Sequence, residues 1–330
     1  MNSFIYTRAD DVAGALCEMA ADGKAKFIAG GTNLIDLMKE NVERPSRLID
    51  ISHLALNEIN PTAGRGLRLG ALTTNRDVAY NEEIELRYPL LSKAILAGAS
   101  PQLRNMATVG GNLMQRTRCC YFYDRATPCN KREPGTGCSA FAGFNRAHAI
   151  LGTSGNCIAT HPSDMCVALA ALMAVVHVVG PIGEREIPFA EFHRLPGDLP
   201  NIDTSLGAGE IITSVDLPEK GFAEHYSYLK VRDRSSYAFA LVSVAAALEM
   251  DGDTIREARL ALGGVAHKPW RDREAERLLN GQSATQEQFE LVAEALLRDA
   301  QGFGHNSFKI ELAKLSIVRA LGQAASGEGH

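Results

Sequence analysis

The sequence lacks the features of several large protein classes. It contains no run of about 18 apolar residues, which a membrane-spanning helix requires, and its start, MNSFIYTRADD, has no basic segment followed by an apolar block. Lys and Arg number 34 against 39 Asp and Glu, and the single Trp belongs to an aromatic content of 6%. These values argue against a membrane span, a signal peptide and a general nucleic-acid binder. We expect a chain that is cytoplasmic by its own sequence, with the periplasm open only through co-export with a partner subunit.

Common nucleotide-binding and hydrolytic motifs are missing as well. The chain contains neither G-x-x-x-x-G-K-[ST] nor G-x-G-x-x-G, and neither H-E-x-x-H nor G-x-S-x-G occurs. A Rossmann dinucleotide site is therefore not supported. His148 and His161 stand without a visible partner, so we assign no catalytic residue to this chain.

What is present predicts a protein of several domains. The chain has 330 residues, of which 45% are hydrophobic and 22% charged, an ordinary balance for a globular protein. Strands and helices are expected to alternate over residues 1–60. A second unit covers 61–222 and contains a loop at about 115–160 with little periodicity, and strands followed by helices fill 223–330. This order predicts an α+β fold.

Two short segments combine paired glycines with a hydroxyl and an amide side chain. In the first, a buried strand leads into Gly30, Gly31 and Thr32 before a helix begins near Asn33; the second is Ala107–Asn112, ATVGGN. Glycines let backbone amides approach a phosphate, and a helix N-terminus favours negative charge. Each segment alone is also compatible with a simple tight turn. Two of them in one chain favour a nucleotide-type cofactor with two phosphates.

Cysteines are concentrated in one polar segment. Six of the seven lie between residues 119 and 166, and an odd number without a secretion signal argues against a disulfide framework. Structural zinc usually takes C-x2–4-C pairs, which are missing, whereas a cubane iron–sulfur cluster takes four thiolates. Cys17 and Cys166 lie in predicted apolar helices, where inert thiols are common. Cys119 and Cys120 are adjacent, so one of the two is expected to be a bystander.

Two further polar residues have competing interpretations. Asp164, in the sequence HPSD (161–164), precedes an apolar helix. We favour a helix cap for Asp164 or Ser163, and the alternative for Asp164 is an acceptor for sugar or ribityl hydroxyls. Lys230 lies within a predicted strand, and a lone lysine there is usually solvated.

The order of these motifs resembles the flavin subunit of the molybdenum hydroxylases, the family of xanthine dehydrogenase, carbon monoxide dehydrogenase and the bacterial aldehyde oxidoreductases. The matching segments are AGGT (29–32), ATVGGN (107–112) and HPSD (161–164), and the resemblance extends over the whole chain. It implies a two-subdomain FAD-binding domain of the PCMH/vanillyl-alcohol-oxidase type, followed by an α+β domain of the CO dehydrogenase flavoprotein C-terminal type. The cysteine loop is similar to that of the aldehyde-oxidising subgroup whose flavin subunit carries an additional [4Fe–4S] cluster.

The resemblance also implies site residues. FAD would be held by two backbone loops and a few side chains, namely Lys26, Phe27, Ile28, Ala29, Gly30, Gly31, Thr32, Asn33, Leu34, Thr108, Gly111, Asn112, Asp164, Ile212 and Lys230. The ligands of the [4Fe–4S] cluster would be Cys119, Cys129, Cys138 and Cys157, with Cys120 extra.

An electron-transfer role in a heterotrimer follows from the resemblance. Partner subunits would carry the molybdenum cofactor and [2Fe–2S] clusters, and an aldehyde would be oxidised to a carboxylic acid on the molybdenum subunit. Electrons would then pass from the [2Fe–2S] centres to FAD on this chain and on to an external acceptor. Two alternatives stay open: an FAD subunit of the xanthine dehydrogenase or 4-hydroxybenzoyl-CoA reductase type, and a non-catalytic iron–sulfur scaffold.

Overall fold

The computed structural model describes residues 1–327, so the last three residues of the predicted C-terminal domain lie outside the described part. The described strands form three sheets. The first is built from β1 (Ile5–Arg8), α1 (Val12–Ala21), β2 (Ala25–Ile28), α2 (Leu34–Lys39) and β3 (Arg47–Asp50). Both β1 and β2 pair parallel to β3, which lies between them. Helical crossovers connect parallel strands in this way, as the alternation of the sequence predicts.

The second sheet has five antiparallel strands in the order β4-β5-β8-β6-β7. Its elements are β4 (Ile59–Pro61), β5 (Leu67–Gly70), α3 (Asn75–Ala79), α4 (Glu82–Arg87), α5 (Pro89–Ala97), α6 (Pro101–Arg104), α7 (Val109–Leu113), α8 (Cys120–Tyr123), α9 (Asp164–Leu172), β6 (Val175–Gly180), β7 (Gly183–Pro188), α10 (Phe189–Phe192) and β8 (Ile211–Leu217). Helices α5 and α9 share one buried core with this sheet.

Local caps divide two stretches of this unit into separate elements. Residues 75–97 form three helices, and the second begins where the Asn81 side chain accepts a hydrogen bond from the Ile84 amide. The apolar run from Val167 to Val179 is also not one element. Its helix ends at Met173, whose φ of 59° reverses the chain into β6.

The third sheet belongs to the C-terminal part. It contains β9 (Tyr226–Val231), β10 (Val242–Asp251) and β11 (Thr254–Gly263), followed by α11 (Arg273–Arg277), α12 (Gln286–Leu296) and α13 (Phe308–Ala325). The strands pair antiparallel, and Gly252, with a φ of +57°, forms the hairpin turn between β10 and β11. Helices α12 and α13 cover the apolar face of β10 and β11. The fold is therefore the α+β arrangement that the sequence predicts.

The segment between α7 and α9 contains most of the cysteines and only α8 as a regular helix. Hydrogen bonds from polar side chains, rather than pairing between strands, stabilise this segment. The Arg132 guanidinium donates to the carbonyls of Tyr121 and Phe122, at 2.8 and 2.9 Å. Across residues 1–327 we find no helix with the length and apolarity needed to cross a membrane.

Candidate functional site

The two glycine segments lie against each other. A Cβ added to Gly30 would approach the carbonyl oxygen of Met106 to 1.7 Å, so only glycine permits this backbone contact. Gly31 has a φ of +68°, which turns the chain from β2 into α2. The Asn33 side chain accepts a hydrogen bond from the amide of Arg116 at 2.8 Å. The turn after β2 is thereby fixed to residues that precede and follow the second segment.

The second segment forms α7 and also contacts the five-stranded sheet. The Thr108 hydroxyl accepts a hydrogen bond from the Gly111 amide at 3.2 Å and caps the helix. A Cβ on Gly110 would lie 3.7 Å from the Cβ of Ile212, which places Ile212 of β8 directly beneath this helix. The Asn112 side chain pairs with the hydroxyl of Ser163. Residues predicted from three distant parts of the chain therefore meet around α7.

The predicted FAD residues differ in their exposure. Along the first segment Lys26 and Thr32 are exposed, and the residues between and after them are half-buried. Thr108 and Ile212 are buried. The first segment is therefore partly accessible to an extended ligand, and buried residues of the second row support it from below.

Asp164 does not cap the helix that it begins. The cap is Ser163, whose hydroxyl accepts from the Cys166 amide at 3.0 Å. The Asp164 carboxylate instead accepts from the Tyr228 hydroxyl at 2.6 Å and from Lys230 Nζ at 2.7 Å. The prediction of a cap at Ser163 or Asp164 is thus confirmed for Ser163. The side chains of Asp164 and Lys230 are only 7% and 5% exposed, so the expectation of a solvated Lys230 is wrong. The reason is that β9 packs on α5, where Ala97 supplies a second acceptor for Lys230 at 3.0 Å.

A cavity of about 300 Å³ lies beside this ion pair, and we name it the junction cavity. It lies where the cysteine loop, the start of α9 and the third sheet meet. Its walls include Arg118, His148, Asp164 and Phe239, together with Gly263 and Gly264 at the end of β11. A mostly apolar wall with a few charged groups is typical of a site for a small molecule or cofactor.

The four cysteines predicted as ligands line one small cavity, which we name the cysteine nest: Cys119, Cys129, Cys138 and Cys157. An isolated antiparallel bridge joins Cys129 to Cys138. Cys120 is exposed and is not among the residues that line the nest. The structure thus distinguishes the two adjacent cysteines, because Cys119 lines the nest and Cys120 does not. The sequence alone leaves this choice open.

The surroundings of these cysteines favour a positively charged metal centre over four free thiols. Burial raises the pKa of the Cys119 thiol to about 12 and that of Cys157 to about 11. Such thiols are inert unless a metal centre stabilises their thiolates. The amide of Ala159 points at the sulfur of Cys157 at 3.4 Å, a contact that stabilises a thiolate. Four cysteines that line one cavity, one of them with a backbone donor at its sulfur, fit an iron–sulfur cluster.

A buried charged cluster next to the nest escaped the sequence analysis. Lys131 is 2% exposed, and its ammonium contacts Asp203, the carbonyl of Pro200 at 2.8 Å and Nε2 of His267 at 2.6 Å. Burial raises the pKa of Asp203, but the charges of Lys131 and Arg116 outweigh burial and hold it well below its usual range. No sequence pattern joins these residues, because 72 positions separate Lys131 from Asp203.

The two histidines set aside on sequence grounds do have partners. His148 Nε2 lies 3.1 Å from the sulfur of Cys119, and burial lowers the pKa of His148 to about 4. His161 packs against His193 with 4.3 Å between ring centroids, and ligand atoms of both lie within 4.8 Å of the Cys166 sulfur. His193 donates from Nε2 to the carbonyl of Leu113 at 2.9 Å. These pairings connect distant loops, so only the folded chain reveals them.

Comparison with known proteins agrees with this architecture. Residues 2–220 match the FAD binding domain in molybdopterin dehydrogenase, and residues 226–324 match the CO dehydrogenase flavoprotein C-terminal domain. The chain belongs to the FAD-binding subunits of the molybdenum hydroxylases. It is therefore a subunit of an oxidoreductase and carries an FAD-binding domain.

Three relatives illustrate the range of the family. The aldehyde oxidoreductase FAD-binding subunit PaoB of Escherichia coli (strain K12) is 50% identical over 325 residues, which cover 98% of this chain and 99% of that one. The glyceraldehyde dehydrogenase medium chain of Sulfolobus acidocaldarius is 26% identical, covering 98% of both chains. Among solved structures, quinoline 2-oxidoreductase from Pseudomonas putida 86 superimposes with a TM-score of 0.76 and 25% identity, covering 100% of this chain and 99% of that one.

Proposed function

We propose that this chain is the electron-transfer subunit of a heterotrimeric molybdenum hydroxylase that oxidises aldehydes to carboxylic acids. Its partners would be a subunit with the molybdenum cofactor and a subunit with [2Fe–2S] clusters. The observation that carries the aldehyde assignment is the 50% identity to an aldehyde oxidoreductase FAD-binding subunit along the whole chain. FAD, when bound, connects one-electron carriers with a two-electron external acceptor.

For FAD we propose the residues predicted from the sequence. The diphosphate would lie over residues 26–34 and the segment from Thr108 through Gly111 to Asn112, because these backbones meet at Gly30 and Met106. Ile212 supports α7 from below, and Asp164, which is paired with Lys230, borders the junction cavity, where the flavin ring would fit. We also keep the domain boundaries 1–60, 61–222 and 223–330 as a proposal.

For the cysteine nest we propose a [4Fe–4S] cluster held by Cys119, Cys129, Cys138 and Cys157. The support is the convergence of four buried or half-buried cysteines on one cavity, with Cys120 outside it. The nest and the junction cavity share Cys119 and His148 as lining residues. The cluster would therefore be a neighbour of the flavin.

The first experiment is an absorption spectrum of the anaerobically purified complex, with FAD and iron quantified per chain. Flavin bands and iron in excess of the [2Fe–2S] clusters support both cofactors. We expect Cys138→Ser to remove about four iron atoms per chain, whereas Cys120→Ser keeps the wild-type iron content. Equal iron in all three proteins would contradict the cluster, and absence of flavin would contradict the FAD site.

A milder substitution tests the diphosphate site separately. Thr32→Val removes one exposed hydroxyl from the first glycine segment without changing the side chain's shape. We expect faster loss of FAD on dilution. Thr254→Val, at an exposed position in the hairpin of the third sheet, serves as the matched control. If both variants release FAD at the same rate, the first segment does not hold the cofactor through this hydroxyl.

A further inference from the structure

Cys119 and His148 occupy a special position between two cavities. Of the described residues that line the junction cavity or the cysteine nest, only these two line both. The imidazole Nε2 and the Cys119 sulfur are 3.1 Å apart. One side-chain pair is thus the shared wall between the proposed flavin site and the proposed cluster.

The position of His148 is fixed by the C-terminal part of the chain. Its carbonyl accepts a hydrogen bond from Lys309 Nζ at 2.8 Å and another from the Asn306 amide nitrogen at 3.3 Å. Lys309 and Asn306 are both 0% exposed. Lys309 also donates to the carbonyl of Gly264, a residue of the junction cavity, at 2.6 Å. Two buried side chains therefore hold the His148 backbone in place beside Cys119.

The hydrogen bond between His148 and Cys119 has a defined donor and a defined acceptor. A neutral imidazole has one N–H donor and one lone-pair acceptor, and a ligating thiolate only accepts. With Nε2 as the donor to sulfur, Nδ1 is the acceptor, and this atom is buried with no partner among the described residues. Hydrogen bonds to cluster sulfurs stabilise the more negative, reduced state and raise the reduction potential.

We propose that His148 is a positioning residue that donates a hydrogen bond to the Cys119 sulfur and thereby couples the cluster in the cysteine nest to the contents of the junction cavity. The proposal rests on the proposed function, because it needs the cluster and the flavin. It extends that function by naming the residue through which the two sites influence each other.

The test uses the intact complex and the low-temperature electron paramagnetic resonance signal of the reduced cluster during a redox titration. His148→Leu removes the donor, and His148→Gln keeps an N–H. We expect His148→Leu to shift the midpoint potential of the cluster downward, and His148→Gln to stay close to the wild type. The control is His225→Leu, which changes a half-buried histidine that lines neither cavity and bonds to the carbonyl of Ala324.

A second titration tests the coupling. In the wild type, the cluster midpoint is expected to differ between the FAD-loaded complex and the same complex after FAD removal, and His148→Leu should reduce that difference. If His148→Leu keeps its full iron content and the midpoint potential of its cluster is unchanged, the inference about His148 is overturned, whereas the proposed cluster stands. If His148→Leu loses iron, His148→Gln decides: loss there as well overturns the donor role. Absence of excess iron in the wild type contradicts the proposed cluster itself.

Discussion

The glycine segments bring backbones together, whereas the cysteine nest brings side chains together. Around Gly30 and Met106 the contact is between main-chain atoms of two short motifs, each readable as a string of neighbouring residues. The cysteine nest is lined by cysteines from a loop with almost no regular structure. The buried, charged Lys131 also lines it. The first kind of site depends on small residues in sequence order. The second depends on residues that meet only after folding.

The difference predicts different sensitivities. A glycine site fails through steric overlap, because an added methyl group has no space. A nest backed by buried charges fails through electrostatics, because removing one partner leaves another charge buried and unpaired. Four substitutions or conditions, ordered by expected effect, sharpen or break this contrast.

The largest effect is expected at the charged support of the nest. Lys131→Met removes the buried ammonium shared by Asp203, the carbonyl of Pro200 and His267, and leaves Arg116 as the remaining cation beside Asp203. We expect a loss of about 3–5 kcal/mol in stability. Lys314→Met, which breaks an exposed pair with Glu294, should cost under about 1 kcal/mol. The thermal unfolding midpoints of the two complexes measure the difference. Similar midpoints would mean that the buried charges are not what holds the nest.

The next effect is steric and belongs to the glycine side. Gly30→Ala places a Cβ 1.7 Å from the Met106 carbonyl oxygen, so the two segments must separate. We expect a loss of about 2–3 kcal/mol and a lower FAD content. Gly23→Ala is the control, since a Cβ there meets nothing within 4 Å. Wild-type FAD content in Gly30→Ala would show that the contact of the two segments is not needed for the cofactor.

A smaller effect is expected from acid. Burial lowers the pKa values of His193 and His267 to about 4, so both stay neutral in the folded chain, whereas unfolded histidines take up a proton near pH 6.5. Their contribution is complete above about pH 6.5 and is lost as the pH falls toward 4, at roughly 1–3 kcal/mol per group.

Thermal midpoints of the complex between pH 8 and 4 measure this loss. His193→Gln should flatten the decline, and His53→Gln, at an exposed position, should leave it unchanged. Parallel declines in both variants would exclude His193 as a source of the acid sensitivity.

The smallest effect is expected for the bystander cysteine. Cys120 is exposed and outside the nest, so Cys120→Ser should change stability by less than about 0.5 kcal/mol. The iron content per chain should match that of the wild type. A loss of iron in this variant would exchange the roles of Cys119 and Cys120.

Much of the fold could be predicted because its signals are local. Periodicity placed the alternating unit at the N-terminus and the strands before the helices at the C-terminus. Local hydrogen bonds decide finer details. Asn81 starts a separate helix, and Ser163 rather than Asp164 caps α9, a choice that the sequence left open.

By itself, the sequence determined which residue types are available and in what order: two glycine segments, the cysteine loop and the HPSD motif. These are local properties, and they suffice to indicate the family. Only the tertiary structure decided that Lys230 is buried against Asp164, that Cys119 and not Cys120 faces the nest, and that His148 contacts Cys119. Burial and pairing arise when distant segments pack together, and no single stretch of sequence contains that information.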